Sequence, residues 1–212
     1  AEDYNHWAQL GNRGWSYDDV LPVFKKMESY DGGSDLFRGR SGPLRVTDTP
    51  RHQVPLIEML IESAENLGLP FNPDLNGATQ EGVGMSQVTI AKGRRQSTAY
   101  CYLDPARDRA NLTIEQGALA LNLILDGNRC VGVRYSVNGE PREAHADREV
   151  VLSSGSINSP KLLELSGIGQ PDLLNSLGIT PVHELPGVGE NLRDHYSPRV
   201  RFAITRRNVT FN

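Results

Sequence analysis

The sequence predicts a mixed α/β fold, and three observations support that prediction. Residues 150–152 form a short apolar run that is followed by small residues and then by a leucine-rich helix. Residues 112–146 alternate apolar stretches with turn residues, which is typical of a β-meander. Residues 17–29 and 53–67 carry apolar side chains at helical spacing.

Composition limits the possible functions. The 212 residues include 22 Lys and Arg against 26 Asp and Glu, which gives a net charge of −4. A nucleic-acid-binding surface needs a basic excess, so we expect no nucleic-acid partner. The sequence contains no run of about 18 apolar residues and no secretory apolar segment, so we expect a cytoplasmic or membrane-peripheral location. The chain starts at Ala1 without Met and ends at Asn212, and we expect it to be part of a longer protein.

The cysteines and histidines do not form a metal-binding pattern. Cys101 and Cys130 lack CxxC spacing, so we expect two buried free thiols rather than a disulfide or a zinc site. The five histidines are scattered along the chain, and we therefore expect no metal.

Two amphipathic helices are predicted in the first third of the chain. Ser16 and Asp19 have the spacing of a capping box, which predicts a helix over residues 17–29. A second helix is predicted over residues 53–67, and Gly68 is positioned to end it. The apolar face of this second helix consists of Val54, Ile57, Leu60, Ile61, Ala64 and Leu67.

Short strands are predicted on both sides of the second helix. They cover residues 42–46 and residues 84–90. Ser97 then has the character of an N-cap for a short helix, and Arg94 and Arg95 are expected to be solvated.

The predicted meander has three strands. They cover residues 112–125, 130–137 and 142–146. Asn138 and Gly139 form the Asn-Gly dipeptide that favours a two-residue hairpin turn between the second strand and the third.

A strand, a tight turn and a helix are predicted after the meander. Residues 150–152 predict a strand that is buried on both faces. Residues 153–156 read Ser-Ser-Gly-Ser, and we call them the serine turn, where small side chains let a ligand approach the backbone. Ser159 and Pro160 predict the start of the helix, and Gly167 predicts its end.

This arrangement is typical of the nucleotide-facing edge of an α/β sheet. Free backbone N–H groups and the positive end of the helix dipole point at whatever lies above the turn. An ordinary βα unit without a ligand explains the same pattern, since many such turns bind nothing. The pattern alone leaves both interpretations open.

The last part of the chain carries weaker signals. Residues 171–178 predict a short helix, and residues 179–182 and 199–205 predict strands. The Gly-x-Gly between these strands lacks the third glycine and the flanking elements of a dinucleotide fingerprint. Asp194 and His195 are adjacent in sequence, and adjacent residues rarely reach the geometry of a catalytic dyad, so we expect a structural role.

The residue order in the predicted helix after the serine turn is family-specific. It resembles the second signature of the glucose–methanol–choline (GMC) family of FAD-dependent oxidoreductases. The matching residues are Gly155-Ser156, Ser159-Pro160, Leu162-Leu163 and Ser166-Gly167-Ile168-Gly169. Residues 11–28, 93–112 and 186–195 are also similar to the family, in the family's order. The chain is thus identified as an internal segment of a GMC oxidoreductase.

The resemblance implies FAD as the cofactor. It implies that the backbone near Ala118 and Ala120 contacts the adenine. The other candidate cofactor-binding residues are Ser153, Ser154, Gly155, Ser156, Asn191 and Asp194. No catalytic residue is assigned, because the family's proton-accepting histidine and its N-terminal G-x-G-x-x-G lie outside this chain. We therefore expect the chain alone to hold FAD weakly and to be inactive.

The resemblance also implies a domain division. Residues 1–40 would be an extended helical segment of the FAD domain, and residues 41–92 part of the substrate-binding domain. Residues 93–198 would be part of the Rossmann-like FAD-binding domain with its meander, and residues 199–212 the start of a substrate-domain strand. The expected fold class is therefore α/β (α+β mixed), with parts of two domains.

The function implied is oxidation of an alcohol to an aldehyde or ketone by hydride transfer to FAD. The implied partners are a small-molecule alcohol, an electron acceptor (oxygen, a quinone or a cytochrome), and the missing N- and C-terminal parts of the same enzyme. Two alternatives remain open: a FAD-containing lyase without net oxidation, and a remnant of the scaffold that only packs or binds.

Overall fold

The computed structural model describes residues 1–50, 54–198, 200–205 and 209–210. The chain divides into two compact units, the first comprising Ala1–Leu112 with Phe202–Asn212 and the second Thr113–Arg201. The described elements of unit 1 are α1 (Glu2–Gln9), α2 (Tyr17–Met27), β1 (Glu28–Ser29), β2 (Leu44–Arg45), α3 (Pro55–Asn66), β3 (Ile90–Ala91), β4 (Arg94–Arg95), a π-helical turn (Ala99–Leu103) and a 3₁₀ turn (Asp104–Ala106). Those of unit 2 are β5 (Ala118–Asp126), β6 (Arg129–Val137), β7 (Glu140–His145), α4 (Gly155–Leu165), β8 (Ile168–Gly169), α5 (Pro171–Ser176) and β9 (His183–Glu184).

The start of α2 confirms the predicted capping box. The Asp19 amide donates to Ser16 Oγ at 3.3 Å, and the Ser16 amide donates to the Asp19 carboxylate at 3.1 Å. The helix ends at Met27, two residues before the predicted end, because the chain then enters β1. β1 pairs in parallel with β2, which confirms a strand within residues 42–46.

The helix predicted over residues 53–67 is α3, and Gly68 follows its C-terminus in the left-handed conformation that glycine favours. Ile61 is 2% exposed, so part of the predicted apolar face is buried. Leu60 and Leu67 are 59% and 83% exposed, so the rest of that face is not uniformly buried. Gln53, the predicted first residue, lies outside the described residues.

The strand predicted over residues 84–90 is mostly wrong. The chain makes one isolated bridge, from Val88 to Thr47, and only then enters β3. The Gln87 side chain instead donates from Nε2 to the Pro73 carbonyl and to the Asp74 carboxylate, at 3.3 Å each. Residues before β3 are thus engaged by a neighbouring loop rather than by a sheet.

The predicted N-cap and basic pair of unit 1 are confirmed. Ser97 Oγ accepts a hydrogen bond from the Tyr100 amide at 3.2 Å. Arg94 and Arg95 are both exposed, and the Arg94 guanidinium lies 4.2 Å from the centre of the Tyr100 ring. Cys101 is a buried free thiol as predicted, whereas Cys130 is free but only half-buried.

Unit 2 is built on the meander that the sequence predicts. β5, β6 and β7 form one antiparallel sheet in chain order. Asn138 and Gly139 both have positive φ, at 53° and 88°, as a type I′ hairpin turn requires. All six residues of β7, which include Pro141, are exposed.

One buried hydroxyl joins α4 to the meander. Ser166, immediately after α4, accepts a hydrogen bond from the Leu123 amide of β5 at 2.8 Å, and its hydroxyl donates to the Leu162 carbonyl at 2.6 Å. Leu162 and Leu174 are buried beside it, and Gly167 ends the helix with a left-handed φ of 79°. The predicted helix stop is therefore confirmed.

The strand predicted at residues 150–152 is wrong for this chain. Those residues are outside every described strand, and Val151 is 75% exposed. Apolar β-branched residues form a buried strand only where neighbouring strands supply backbone partners, and among the described residues no strand pairs with them.

The predicted start of the helix at Ser159 and Pro160 is also wrong. α4 begins at Gly155, so Pro160 is its sixth residue. Proline lacks the N–H that would bond the Ser156 carbonyl, and that carbonyl belongs to an exposed residue, which water can solvate. The cost of the proline is thereby limited to one hydrogen bond near the helix start.

The described residues of the last part of the chain contain one of the predicted helices but neither of the two predicted strands. α5 spans Pro171–Ser176 of the helix predicted over residues 171–178, and Gly178, two residues after its end, has positive φ. The strand predicted at residues 179–182 is wrong, because the chain forms no strand there and enters β9, which pairs with β8, only at His183. Residues 200–205 form no strand, and Arg199 lies outside the described residues.

Within the described ranges, no helix has the length and apolar composition needed to cross a bilayer. The same ranges contain no group of three or more His, Cys, Asp or Glu side chains that could hold a metal ion.

Candidate functional site

The serine turn lies at the N-terminus of α4. Ser153, Ser154 and Ser156 are exposed, and Gly155 has a φ of 87°. A Cβ added to Gly155 would meet nothing within 4 Å, so the space beside the turn is open. Only glycine adopts this conformation freely, and its lack of a side chain lets another molecule approach the backbone.

The first turn of α4 carries no negative charge of its own. The Ser154 side chain makes no capping hydrogen bond, and the turn contains no acidic residue. The first turns of α1, α2, α3 and α5 each contain Asp or Glu. Because the first amides of a helix lack intrahelical acceptors and carry partial positive charge, this turn is suited to an anionic group.

Ser159 is a contributor that the sequence prediction assigned differently. Its Oγ accepts a hydrogen bond from the Ser154 amide at 3.1 Å, from inside the helix. The contact fixes the entry into α4, since it occupies the Ser154 amide inside the serine turn. The Ser-Pro pair signalled a helix start, but only the structure shows that Ser159 caps the turn from five residues downstream.

A groove runs between α4 and the segment that follows β9. Its volume is about 550 Å³, and it is lined by Ser156, Ile157, Ser159, Pro160, Lys161, Leu163 and Glu164 from α4 and by Gly187, Val188, Gly189, Glu190 and Leu192 from the segment. Ser156 therefore lies beside the segment that contains the predicted residue Asn191. Asn191 itself is not among the residues that line the groove.

Residues 186–190 make close polar contacts with α4 and with Gln170, the residue before α5. A Cβ on Gly189 would lie 2.6 Å from Glu164 Oε1, so a side chain at this position would displace the carboxylate. Gln170 Nε2 donates to Glu190 Oε1 at 2.9 Å and to the Pro186 carbonyl at 3.4 Å. These contacts were not predicted, because no local pattern links Glu164 to a glycine 25 residues later.

The remaining predicted residues lie elsewhere in unit 2. Ala118 and Ala120 are exposed at the start of β5, paired with Val137 and Tyr135 of β6. β5 is an edge strand of the described sheet, so part of its backbone faces away from β6.

Asn191 and Asp194 are both exposed. Asn191 has a positive φ of 56°, and Asp194 Oδ1 accepts a hydrogen bond from the His195 amide at 2.8 Å. That contact is local to the Asp-His pair, and the expected structural role of the pair stays a prediction.

A protein-family model described as GMC oxidoreductase matches residues 1–197. Human mitochondrial choline dehydrogenase is 45% identical over 206 residues, which are 97% of this chain and 34% of that protein. Oxygen-dependent choline dehydrogenase from Chromohalobacter salexigens is 47% identical over 95% of this chain and 37% of its own length. The chain thus spans about a third of the length of these relatives.

Solved structures give the same picture. A FAD-dependent oxidoreductase from Chaetomium thermophilum matches with a TM-score of 0.84 and 32% identity, over 91% of this chain and 36% of that one. Pyridoxine 4-oxidase from Mesorbium loti matches with a TM-score of 0.78 and 33% identity, over 87% of this chain and 36% of that one.

Proposed function

Because the chain belongs to the GMC oxidoreductase family, we propose that it is a segment of a FAD-dependent enzyme that oxidises an alcohol to an aldehyde or ketone. The observation that carries the proposal is the open, uncharged serine turn on the α4 N-terminus, in a chain that matches the family over residues 1–197. Relatives are named as choline dehydrogenases, which supports a small alcohol as substrate.

The residues of the serine turn fit the nucleotide half of FAD. A diphosphate is anionic and takes backbone N–H donors, and this turn offers donors and hydroxyls without a carboxylate. Ser153, Ser154, Gly155 and Ser156 would face the nucleotide, and the β5 backbone at residues 118–120 would face the adenine. Asn191 and Asp194 complete the proposed set.

The chemistry that the flavin would supply is acceptance of a hydride from the alcohol carbon. This chain would hold and orient the nucleotide, and the family's proton-accepting histidine belongs to a part of the enzyme outside it. We propose the domain division at residues 1–40, 41–92, 93–198 and 199–212, with oxygen, a quinone or a cytochrome as electron acceptor. A cytoplasmic or membrane-peripheral location is part of the same proposal, which cell fractionation tests.

The test uses the full-length protein that contains this chain. We expect it to purify with flavin absorbance, and that absorbance to bleach when an alcohol is added without air. Product formation with no bleaching at any stage would instead support a lyase. A full-length protein without flavin, which also fails to take up added FAD, would contradict the proposal.

A pair of glycine variants tests the serine turn itself. Gly155→Asp adds a carboxylate where a diphosphate would lie, so flavin content should fall strongly. Gly178→Asp is the matched control, because Gly178 also has positive φ and open space around it and lies in the same unit. Equal flavin content in the two variants would show that the serine turn does not face the cofactor.

The chain alone is expected to hold FAD weakly and to turn over no alcohol. Purification of the 212-residue chain and quantitation of released flavin checks this, and stoichiometric flavin would contradict it.

A further inference from the structure

Residues 70–84 of unit 1 form a closed loop, which we call the Ω-loop. Its neck is closed by hydrogen bonds from the Asn72 amide to the Val83 carbonyl at 2.8 Å and from the Val83 amide to the Pro70 carbonyl at 2.9 Å. Inside the loop, Asn72 Nδ2 donates to the carbonyls of Thr79 and Glu81, at 2.8 and 3.1 Å. The loop therefore holds its own shape and can move as one body about its neck.

The tip of the Ω-loop forms one wall of a cavity in unit 1. The cavity has a volume of about 870 Å³. Residues 76–81 of the tip line it opposite Leu21 and Phe24 of α2, and Leu44 of β2 also lines it. Movement of the tip would change access to this space.

A buried ion pair ties the Ω-loop to the chain that follows α2. Arg38 is 3% exposed, and its Nη1 donates to Asp74 Oδ1 at 2.8 Å. The same guanidinium donates to Glu28 through Nη2 at 2.6 Å and through Nε at 3.1 Å. Arg38 thus stays charge-compensated by Glu28 whether or not Asp74 is engaged.

The Asp74 carboxylate is only half satisfied. Its Oδ1 accepts from Arg38, from the Asn76 amide at 3.1 Å and from Gln87 at 3.3 Å. Its Oδ2 is buried and has no hydrogen-bond partner within the described residues. A buried carboxylate oxygen without a partner carries a desolvation penalty that no hydrogen bond offsets. Outward movement of the loop would restore its hydration.

From these contacts we propose that the Ω-loop is a gate on the unit 1 cavity and that Asp74, through Arg38, is its latch. The closed gate keeps the ion pair, and hydration of Oδ2 in the open gate offsets part of the free energy lost when that pair breaks. The neck bonds act as the hinge. This inference goes beyond the flavin proposal and does not depend on it.

The test measures gate opening in the full-length protein. Asp74→Asn keeps the size of the side chain and removes the charge of the latch, while Asp74→Ala removes the acceptor altogether. We expect amide exchange in residues 74–81 to rise by about tenfold in the Asn variant and further in the Ala variant. A Leu44→Cys probe on the cavity wall should react with a maleimide faster in the same order, read on its own peptide by mass spectrometry.

Two references separate a gate from general loosening. Asp104→Asn removes the partner of Arg107 in an exposed ion pair of the same unit, and it should change neither readout. The Val46 amide, bonded to the Ser29 carbonyl at 2.9 Å, reports on the β1–β2 pairing. Unchanged exchange and labelling in both Asp74 variants would overturn the proposal, and so would equal acceleration at Val46.

Discussion

Two regions of the molecule handle charge in opposite ways. In unit 1, the buried Arg38 guanidinium is matched by Glu28 and Asp74 from its own chain. In unit 2, the N-terminus of α4 has partial positive charge and no acidic residue in its first turn. The first region is compensated internally, and the second leaves its compensation to something outside the chain. The difference shows which positive charge is neutralised within the chain and which is suited to an anionic ligand.

Removal of Arg38, the internally compensated cation of unit 1, should lower the free energy of unfolding more than any other change described below. Arg38→Met leaves two partly buried carboxylates without their buried cation, and loss of one partner of a buried pair typically costs about 3–5 kcal/mol. Arg107→Met, which removes an exposed pair with Asp104, should cost less than about 1 kcal/mol. Urea unfolding of the two variants measures the free energies, and similar losses would show that the buried cluster is not special.

Ser166 tests whether the other end of α4 is compensated internally. Ser166→Ala leaves the buried Leu123 amide without its acceptor, so unfolding free energy should fall by about 1–3 kcal/mol. Ser176→Ala is the control, since its hydroxyl bonds the Leu173 carbonyl on an exposed residue and the change should fall within about 0.5 kcal/mol. If thermal unfolding ranks the two variants the other way, Ser166 does not anchor α4.

A carboxylate placed at the N-terminus of α4 tests whether the positive charge there is uncompensated. Ser156→Asp should stabilise the protein by about 0.3–1 kcal/mol while flavin content in the full-length protein falls. Asp172→Asn removes the acidic residue that α5 does have in its first turn, so it should destabilise by a similar amount. The paired readouts are melting temperature and flavin content, and a destabilised Ser156→Asp would contradict the idea of an uncompensated helix end.

The smallest effect belongs to a surface pair in the meander. Hydrogen bonding from Arg134 lowers the pKa of Glu143 in the folded protein. The ionised form is therefore favoured by folding, so its contribution is present above the ordinary carboxyl pKa and is lost as pH falls through the lowered value. The melting-temperature difference between wild type and Glu143→Gln should shrink with acid and with salt. A melting-temperature difference that grows in acid would contradict a stabilising contribution from ionised Glu143.

Local chemistry made part of the structure predictable. The capping box of Ser16 and Asp19 and the Asn138-Gly139 turn depend on residues a few positions apart, and both form as predicted. The apolar run at residues 150–152 was predictable as a strand only if partner strands lay beside it, and no described strand does. The prediction of FAD came from the family resemblance, because the spacing of small residues after residue 152 fits a turn with or without a ligand.

Long-range contacts explain what the sequence did not show. Glu28, Arg38 and Asp74 come from three separate segments and share no periodicity, so the cluster could not be predicted. Glu164 and Gly189 are equally far apart in sequence, although their contact shapes the groove beside the serine turn. Pro160 misplaced the helix start, because the first-turn rule for proline does not anticipate a glycine with positive φ five residues earlier.

The two edge strands of the meander, β5 and β7, differ in how readily another molecule can pair with them. β7 presents an exposed row that contains Pro141 together with Glu140, Arg142 and Glu143, and such a border discourages pairing by another strand. β5 begins with Ala118, Leu119 and Ala120, which are exposed and uncharged. Self-association through β7 would consequently be resisted, whereas the outer backbone of β5 at residues 118–120 stays accessible to the adenine proposed to lie there.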